Sequence, residues 1–183
     1  LWAGSTLHGN TCVWYSDDGG DSYTSNHLQD SGADEVSFVV ADRTSGRVLM
    51  NGRKRHDAGW PRNHRANYWS DDHGLTWSKA EPSPLLDSVN DHNHGCEASV
   101  TNVDNKLFFF NPSPTGRKDM SVHCSLDGGK TWPHAYHITA THDGSYSDLV
   151  EVGHEGTRRG AEGVAGERVV HDRKAREELD TVE

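Results

Sequence analysis

Three copies of the pattern S-x-D-x-G-x-[ST]-[WY] limit the folds open to this chain more than any other feature. They begin at Ser16, Ser70 and Ser125, 54 and 55 residues apart. They read Ser16-Asp17-Asp18-Gly19-Gly20-Asp21-Ser22-Tyr23, Ser70-Asp71-Asp72-His73-Gly74-Leu75-Thr76-Trp77 and Ser125-Leu126-Asp127-Gly128-Gly129-Lys130-Thr131-Trp132. An Asp inside a turn accepts hydrogen bonds from the backbone N–H groups that follow it. Gly two positions later takes positive φ at no steric cost. The Ser or Thr adds a second side-chain bond. The closing aromatic is expected to turn inward and fill the space beneath the turn. Each copy therefore reads as a self-supporting β-hairpin turn.

Strand-like runs surround the copies. They are 11–15 before the first, 36–41, 47–53 and 65–69 before the second, 97–103, 106–110 and 120–124 before the third, and 146–152 after it. Three strands, a turn and a short fourth strand every ~50 residues form the unit of a β-propeller blade. Such a blade buries its faces only by stacking on neighbours.

Composition at first opposes a fold. Leu, Ile, Val and Phe make up 31 of 183 residues, below the ~20% at which a strongly charged chain resembles a disordered one. The answer lies in 6 Trp, 5 Tyr and 19 Gly, since disordered chains are poor in aromatics. A net charge of −10 argues against nucleic acid as a partner, which needs clustered Lys and Arg. No apolar run approaches the ~18 residues of a membrane span. Cys12, Cys96 and Cys124 are odd in number and lack metal-ligand spacing, so they read as free thiols. His92-x-His94-x-Cys96 reads as a loop before a strand rather than a zinc site. His56 and His64 are loop candidates with no assigned chemistry. Residues 153–183 form a charged tail, expected as a solvated helix with pairs such as Asp172–Arg176 or as a disordered segment.

At this point the chain resembles the sialidases (neuraminidases), whose Asp box matches the repeat. The resemblance implies an all-β fold, a partial six-bladed β-propeller of about three four-stranded antiparallel blades over residues 1–152. It also implies a structural role for Ser16, Asp18, Gly20, Ser70, Asp72, Gly74, Trp77, Ser125, Asp127, Gly129 and Trp132. More specific stretches carry the rest. Ala33-Asp34-Glu35 and, one strand later, Asn51-Gly52-Arg53 resemble the segment with the family's active-site Glu and middle arginine. Gly95-Cys96-Glu97-Ala98-Ser99, then Asn111-Pro112, then Arg117 resemble the blade with its last arginine. Gly144-Ser145-Tyr146-Ser147-Asp148-Leu149 resembles the tyrosine segment.

The implied activity is exo-α-sialidase: removal of terminal sialic acids from glycans, glycoproteins or glycolipids with retention, and with no cofactor or metal. Sialic acid carries a carboxylate on its anomeric carbon, which repels a carboxylate nucleophile. Sialidases are the tyrosine exception among glycosidases. By resemblance Tyr146 is the nucleophile and Glu35 its base, since tyrosine with a pKa near ~10 needs one. Arg53 and Arg117 would clamp the substrate carboxylate through their guanidinium forks. Glu97 stands where many relatives carry Gln, at the pocket floor. Bland readings stand beside these: a core-capping tyrosine, a solvated turn acid, and arginines in the charged runs Arg53-Lys54-Arg55 and Arg117-Lys118.

Two parts of the family site are not found: an early Arg-Ile-Pro arginine and the acid/base Asp one blade later. Asp17 and Asp18 belong to the first box and do not fill that role. The chain is therefore expected to be a middle-to-late part of a propeller that needs further segments to close. It is expected to leave strand edges unburied and to turn over substrate poorly alone. A non-catalytic glycan- or protein-binding propeller and an inactive remnant are the alternatives. Secreted, lysosomal and membrane-associated compartments all suit the family, and no targeting pattern follows Leu1.

Overall fold

The computed structural model describes residues 2–5, 11–28, 32–54, 59–88, 95–138 and 144–152. The charged tail and His56, His92 and His94 lie outside them. The described residues are all-β. The strands are β1 (Trp2–Ser5), β2 (Thr11–Tyr15), β3 (Thr24–Leu28), β4 (Ala33–Asp42), β5 (Arg47–Lys54), β6 (His64–Ser70), β7 (Glu81–Leu86), β8 (Ser99–Val103), β9 (Lys106–Asn111), β10 (Ser121–Ser125) and β11 (His134–His137). All belong to one compact unit, Leu1–Glu151.

They form three antiparallel meanders, β1-β2-β3, β4-β5-β6-β7 and β8-β9-β10-β11. The first sheet has three described strands rather than four. The last strand of each sheet follows one copy of the repeat, as the blade reading expects. Pro82 and Pro84 sit in β7, an outer strand where a missing N–H costs no ladder bond.

The boxes close as their chemistry dictates. In the second, Ser70 Oγ donates to Asp72 Oδ1 at 2.7 Å and accepts the Gly74 N–H at 2.7 Å. The Thr76 N–H donates to Asp72 Oδ1 at 2.8 Å, and its hydroxyl to Oδ2 at 2.5 Å. Gly74 has φ +94°. The first and third boxes repeat this set with Ser22 and Thr131. Trp77 packs on Phe38 at 5.7 Å and Trp132 on Phe109 at 5.9 Å, both half-buried. Tyr23 departs from expectation and stays 61% exposed. Neither apolar core reaches it among the described residues.

Those two cores lie between the sheets. One joins Val13, Met50, Ala66 and Tyr68, with Phe38 and Trp77 packed on it. The other joins Val39, Leu49, Leu85, Val100, Leu107 and Phe109, with Trp69 and Trp132. β5 is covered on both faces, which explains its unbroken Val48-Leu49-Met50 run. Each such side chain contributes roughly 1.5–3 kcal/mol on burial. The first strands of successive sheets touch, β1 with β4 and β4 with β8. Side chains bond across that seam: Asn102 Nδ2 donates to the Val40 carbonyl at 2.6 Å, and the Val100 N–H to Ser37 Oγ at 3.2 Å.

The expected strand over 146–152 is absent. Residues 144–152 take no regular structure, and no described strand pairs with them. An extended run becomes a strand only when its N–H and C=O groups meet a ladder partner.

Candidate active site

Glu35 owes its position to a break in the β4–β5 ladder. Asp34 pairs with Arg53 and Val36 with Gly52, so Glu35 is the extra residue of a bulge. Its φ is +47°, sparsely populated for a residue with a side chain and found chiefly where the surroundings enforce it. Bulges re-aim a side chain. Gly52 makes room opposite: a Cβ there would stand 2.8 Å from Val36 and 2.9 Å from Ala33.

The carboxylate of Glu35 meets two other predicted residues. Arg53 Nη1 donates to Glu35 Oε2 at 2.6 Å, and Arg53 Nε lies 3.8 Å from Asp34. The Tyr146 hydroxyl donates to Glu35 Oε1 by a short hydrogen bond, across 111 residues of sequence. Arg53 is 8% exposed and Tyr146 is 58% exposed. A held acid thus faces an accessible phenol.

Arg117 borders the same place. Its guanidinium stands 5.8 Å from the Tyr146 ring centroid. Nη1 donates to Ser145 Oγ at 3.2 Å and Nη2 to the Gly95 carbonyl at 3.2 Å. Among the described residues its Nε has no hydrogen-bond partner. Glu97 is half-buried, and its Oε2 accepts the Ser147 N–H at 2.9 Å. All five predicted residues therefore gather around the Tyr146 segment.

Electrostatics divide them. Burial pushes the Glu35 carboxyl up, but the Tyr146 hydroxyl, the Arg53 bond and charge, and the Arg117 charge outweigh it, so the group sits below its ordinary value. The Tyr146 phenol is raised, first by its bond to Glu35 and then by burial. The resting site thus holds an ionised acceptor beside a protonated phenol. Burial raises the Glu97 carboxyl against the pull of the Ser147 N–H and the Arg65 charge.

Sequence reasoning missed the polar floor beneath these groups. Arg65 is fully buried and pairs with Asp87 at 3.0 Å. It also donates to Asn51 Oδ1 at 2.5 Å and to the Cys96 carbonyl at 2.7 Å, and lies over Phe109. Asp87 Oδ1 accepts the Cys96 N–H at 2.8 Å. Gly95, φ +87°, must be Gly here, because a Cβ would collide with the Asp87 carboxylate and stand 2.9 Å from Arg53 Cγ. The available signal was Asn51 opposite Asn67, two amides in otherwise buried strands. Among the described residues no three His, Cys, Asp or Glu side chains gather as a metal set. No helix of the described residues is long and apolar enough to cross a membrane.

Comparison with known proteins bears on the family and the fold. The BNR repeat-like domain family model matches residues 6–158. A sialidase of Bacteroides fragilis is 32% identical over 139 residues, which cover 70% of this chain and 23% of that protein. The NanB sialidase of Streptococcus pneumoniae superposes with a TM-score of 0.62 at 21% identity, covering 78% of this chain and 22% of the other. The intramolecular trans-sialidase of Ruminococcus gnavus gives 0.57 at 21%, covering 76% and 30%. The chain spans about a quarter of the length of these relatives.

Proposed function

Because the chain belongs to the sialidase family of BNR (Asp-box) repeat proteins, we propose that its site serves exo-sialidase chemistry on terminal sialic acids of glycoconjugates, with Tyr146 as nucleophile. The observation that carries this reading is the Tyr146–Glu35–Arg53 chain of hydrogen bonds, with Arg117 beside the ring.

In the proposed reaction Glu35 takes the phenolic proton as the Tyr146 oxygen bonds to the anomeric carbon. The glycosidic C–O bond breaks, and its electron pair leaves on the aglycone oxygen, which needs a proton from an acid outside the set described here. Water then attacks the anomeric carbon from the opposite face and gives its proton to the conjugate base of that acid, while the bond to Tyr146 breaks and the departing phenolate recovers its proton from Glu35; the two inversions give retention. A neutral nucleophile avoids repulsion from the sugar carboxylate. Arg53 and Arg117 supply cationic forks for that carboxylate. Arg53 releases Glu35 as the Glu35 carboxylate gains the tyrosine proton. Proton removal during attack makes Glu35 a general base rather than a group that ionises Tyr146 beforehand, in keeping with the raised phenol.

Titration of the isotopically labelled full chain with sialyllactose and with lactose tests recognition. Sialyllactose is expected to shift the signals of Arg53, Arg117 and Tyr146, and lactose to leave them in place. Arg117→Met is expected to weaken sialyllactose binding roughly tenfold or more, the loss of a charge-assisted carboxylate contact. Equal responses to both sugars, or none, would contradict the reading.

A further inference from the structure

Tyr146 rides on a segment without a strand ladder, so something else must hold it. Side chains and single backbone bonds do so on both flanks. Before Tyr146, the Gly144 N–H donates to the Arg117 carbonyl at 2.8 Å. Ser145 Oγ takes the Arg117 bond and lies 3.6 Å from Cys96 Sγ. After it, Ser147 Oγ donates to the Phe110 carbonyl at 2.7 Å and lies 3.4 Å from Ser99 Oγ. The Ser147 N–H donates to Glu97 Oε2.

The last bond differs from the others on that flank. It joins a carboxylate to a backbone N–H, and such charge-assisted bonds are roughly twice as strong as neutral ones. It also grips the peptide unit that directly follows Tyr146, so it fixes where the Tyr146 Cα stands. Glu97 is itself well placed to be firm. Its neighbour Cys96 is tied at N–H to Asp87 and at C=O to Arg65, both fully buried. The chain of support thus runs from the buried Arg65–Asp87 pair through Cys96 and Glu97 to Ser147, and so to Tyr146.

We propose that Glu97 is a positioning residue that holds Tyr146 against Glu35 by accepting the Ser147 N–H, rather than a residue that contacts the sugar. Its catalytic meaning rests on Tyr146 being the nucleophile, but its structural content does not.

Amide hydrogen exchange on the full chain, followed by NMR in Glu97→Ala and Glu97→Gln, separates the two. In Glu97→Ala the Ser147 N–H is expected to exchange roughly tenfold or more faster, as local opening loses its main restraint. Gly74 and Gly129 N–H, bonded to box serines, report whether the fold is intact and are expected to keep their rates. Glu97→Gln keeps an oxygen acceptor and is expected to recover most of the Ser147 protection. Unchanged Ser147 exchange in Glu97→Ala overturns the proposal, as does exchange that rises equally at Gly74 and Gly129, or no recovery in Glu97→Gln. Lost sialyllactose affinity with intact Ser147 protection makes Glu97 a sugar contact and overturns it too. If the unaltered chain ignores sialyllactose, the functional reading fails, and the exchange result still decides the role of Glu97.

Discussion

Glu35 sits at φ +47° on a bulge, and that strain persists because Arg53 and Tyr146 hold its carboxylate. Residues forced into sparsely populated backbone regions concentrate at functional sites. Its folded-state value lies below the ordinary one. A carboxyl with a depressed folded value stabilises the fold fully above its unfolded value, about 4.3 for glutamate. It loses that contribution as pH falls through the folded value. The difference in Tm between the parent chain and Glu35→Gln is therefore expected to shrink as pH drops below about 4, measured by thermal unfolding across pH. A pH-independent difference would mean that Glu35 gains nothing from Arg53 and Tyr146. Tyr146, Glu35, Arg53, Arg117 and Glu97 were visible in the sequence because short motifs flank them. Arg65 was not, since a charged residue opening a strand reads as a solvated end. Its burial depends on Asp87, Asn51 and Cys96, between 14 and 31 residues away, and no local pattern encodes them.

The three boxes are the elements most fully legible in the sequence, because every bond in them spans at most four residues. Their hydroxyl and N–H donors lower Asp72 to about 2, and in the third box they outweigh burial and lower Asp127 to about 2. Stability from the boxes is thus full above about 4 and drains away toward pH 2. Asp127→Asn is expected to flatten the acid limb of the unfolding profile. The two positive-φ positions of each turn differ in demand. Gly19 has positive φ with nothing within 4 Å of a Cβ, and His73 fills the matching place in the second box at φ +62°. Gly129 has φ +90° and stands where a Cβ would press on Leu107 and Leu49 at 3.2 Å. Gly129→Ala is expected to cost ~1–3 kcal/mol, measured by urea denaturation, and Gly19→Ala clearly less. Equal costs would remove packing from the argument. The expected strand at 146–152 failed for the opposite reason. Its Tyr146, Val150 and Val152 are residue types that favour strands, but a ladder partner is a property of the rest of the fold.

The low aliphatic content marks how the whole molecule is built. Sheets meet through aromatics and through side-chain bonds across the seam, and a sheet of this kind has no separate core. Asn102 bonds the Val40 carbonyl, and Arg43 bonds the Asn102 carbonyl at 2.9 Å. Asn102→Ala leaves a carbonyl unsatisfied and is expected to cost about 1–3 kcal/mol in one cooperative transition, seen by calorimetry. Two separate transitions would mean that the sheets fold independently. The site belongs to this scale as well. Glu35 and Arg53 come from the β4–β7 sheet, while Glu97, Arg117 and the Tyr146 segment are tied to one another around the β8–β11 sheet. The most direct test of nucleophilic Tyr146 is treatment with 2,3-difluorosialic acid, followed by peptide mass mapping. Fluoride leaves from the anomeric carbon without a proton, so no acid catalyst is needed, and the second fluorine disfavours the oxocarbenium-like transition state that releases the adduct. The expected result is a sialyl adduct on Tyr146, lost in Tyr146→Phe and slowed in Glu35→Gln. An unlabelled chain, or an adduct on another residue, would contradict the central claim.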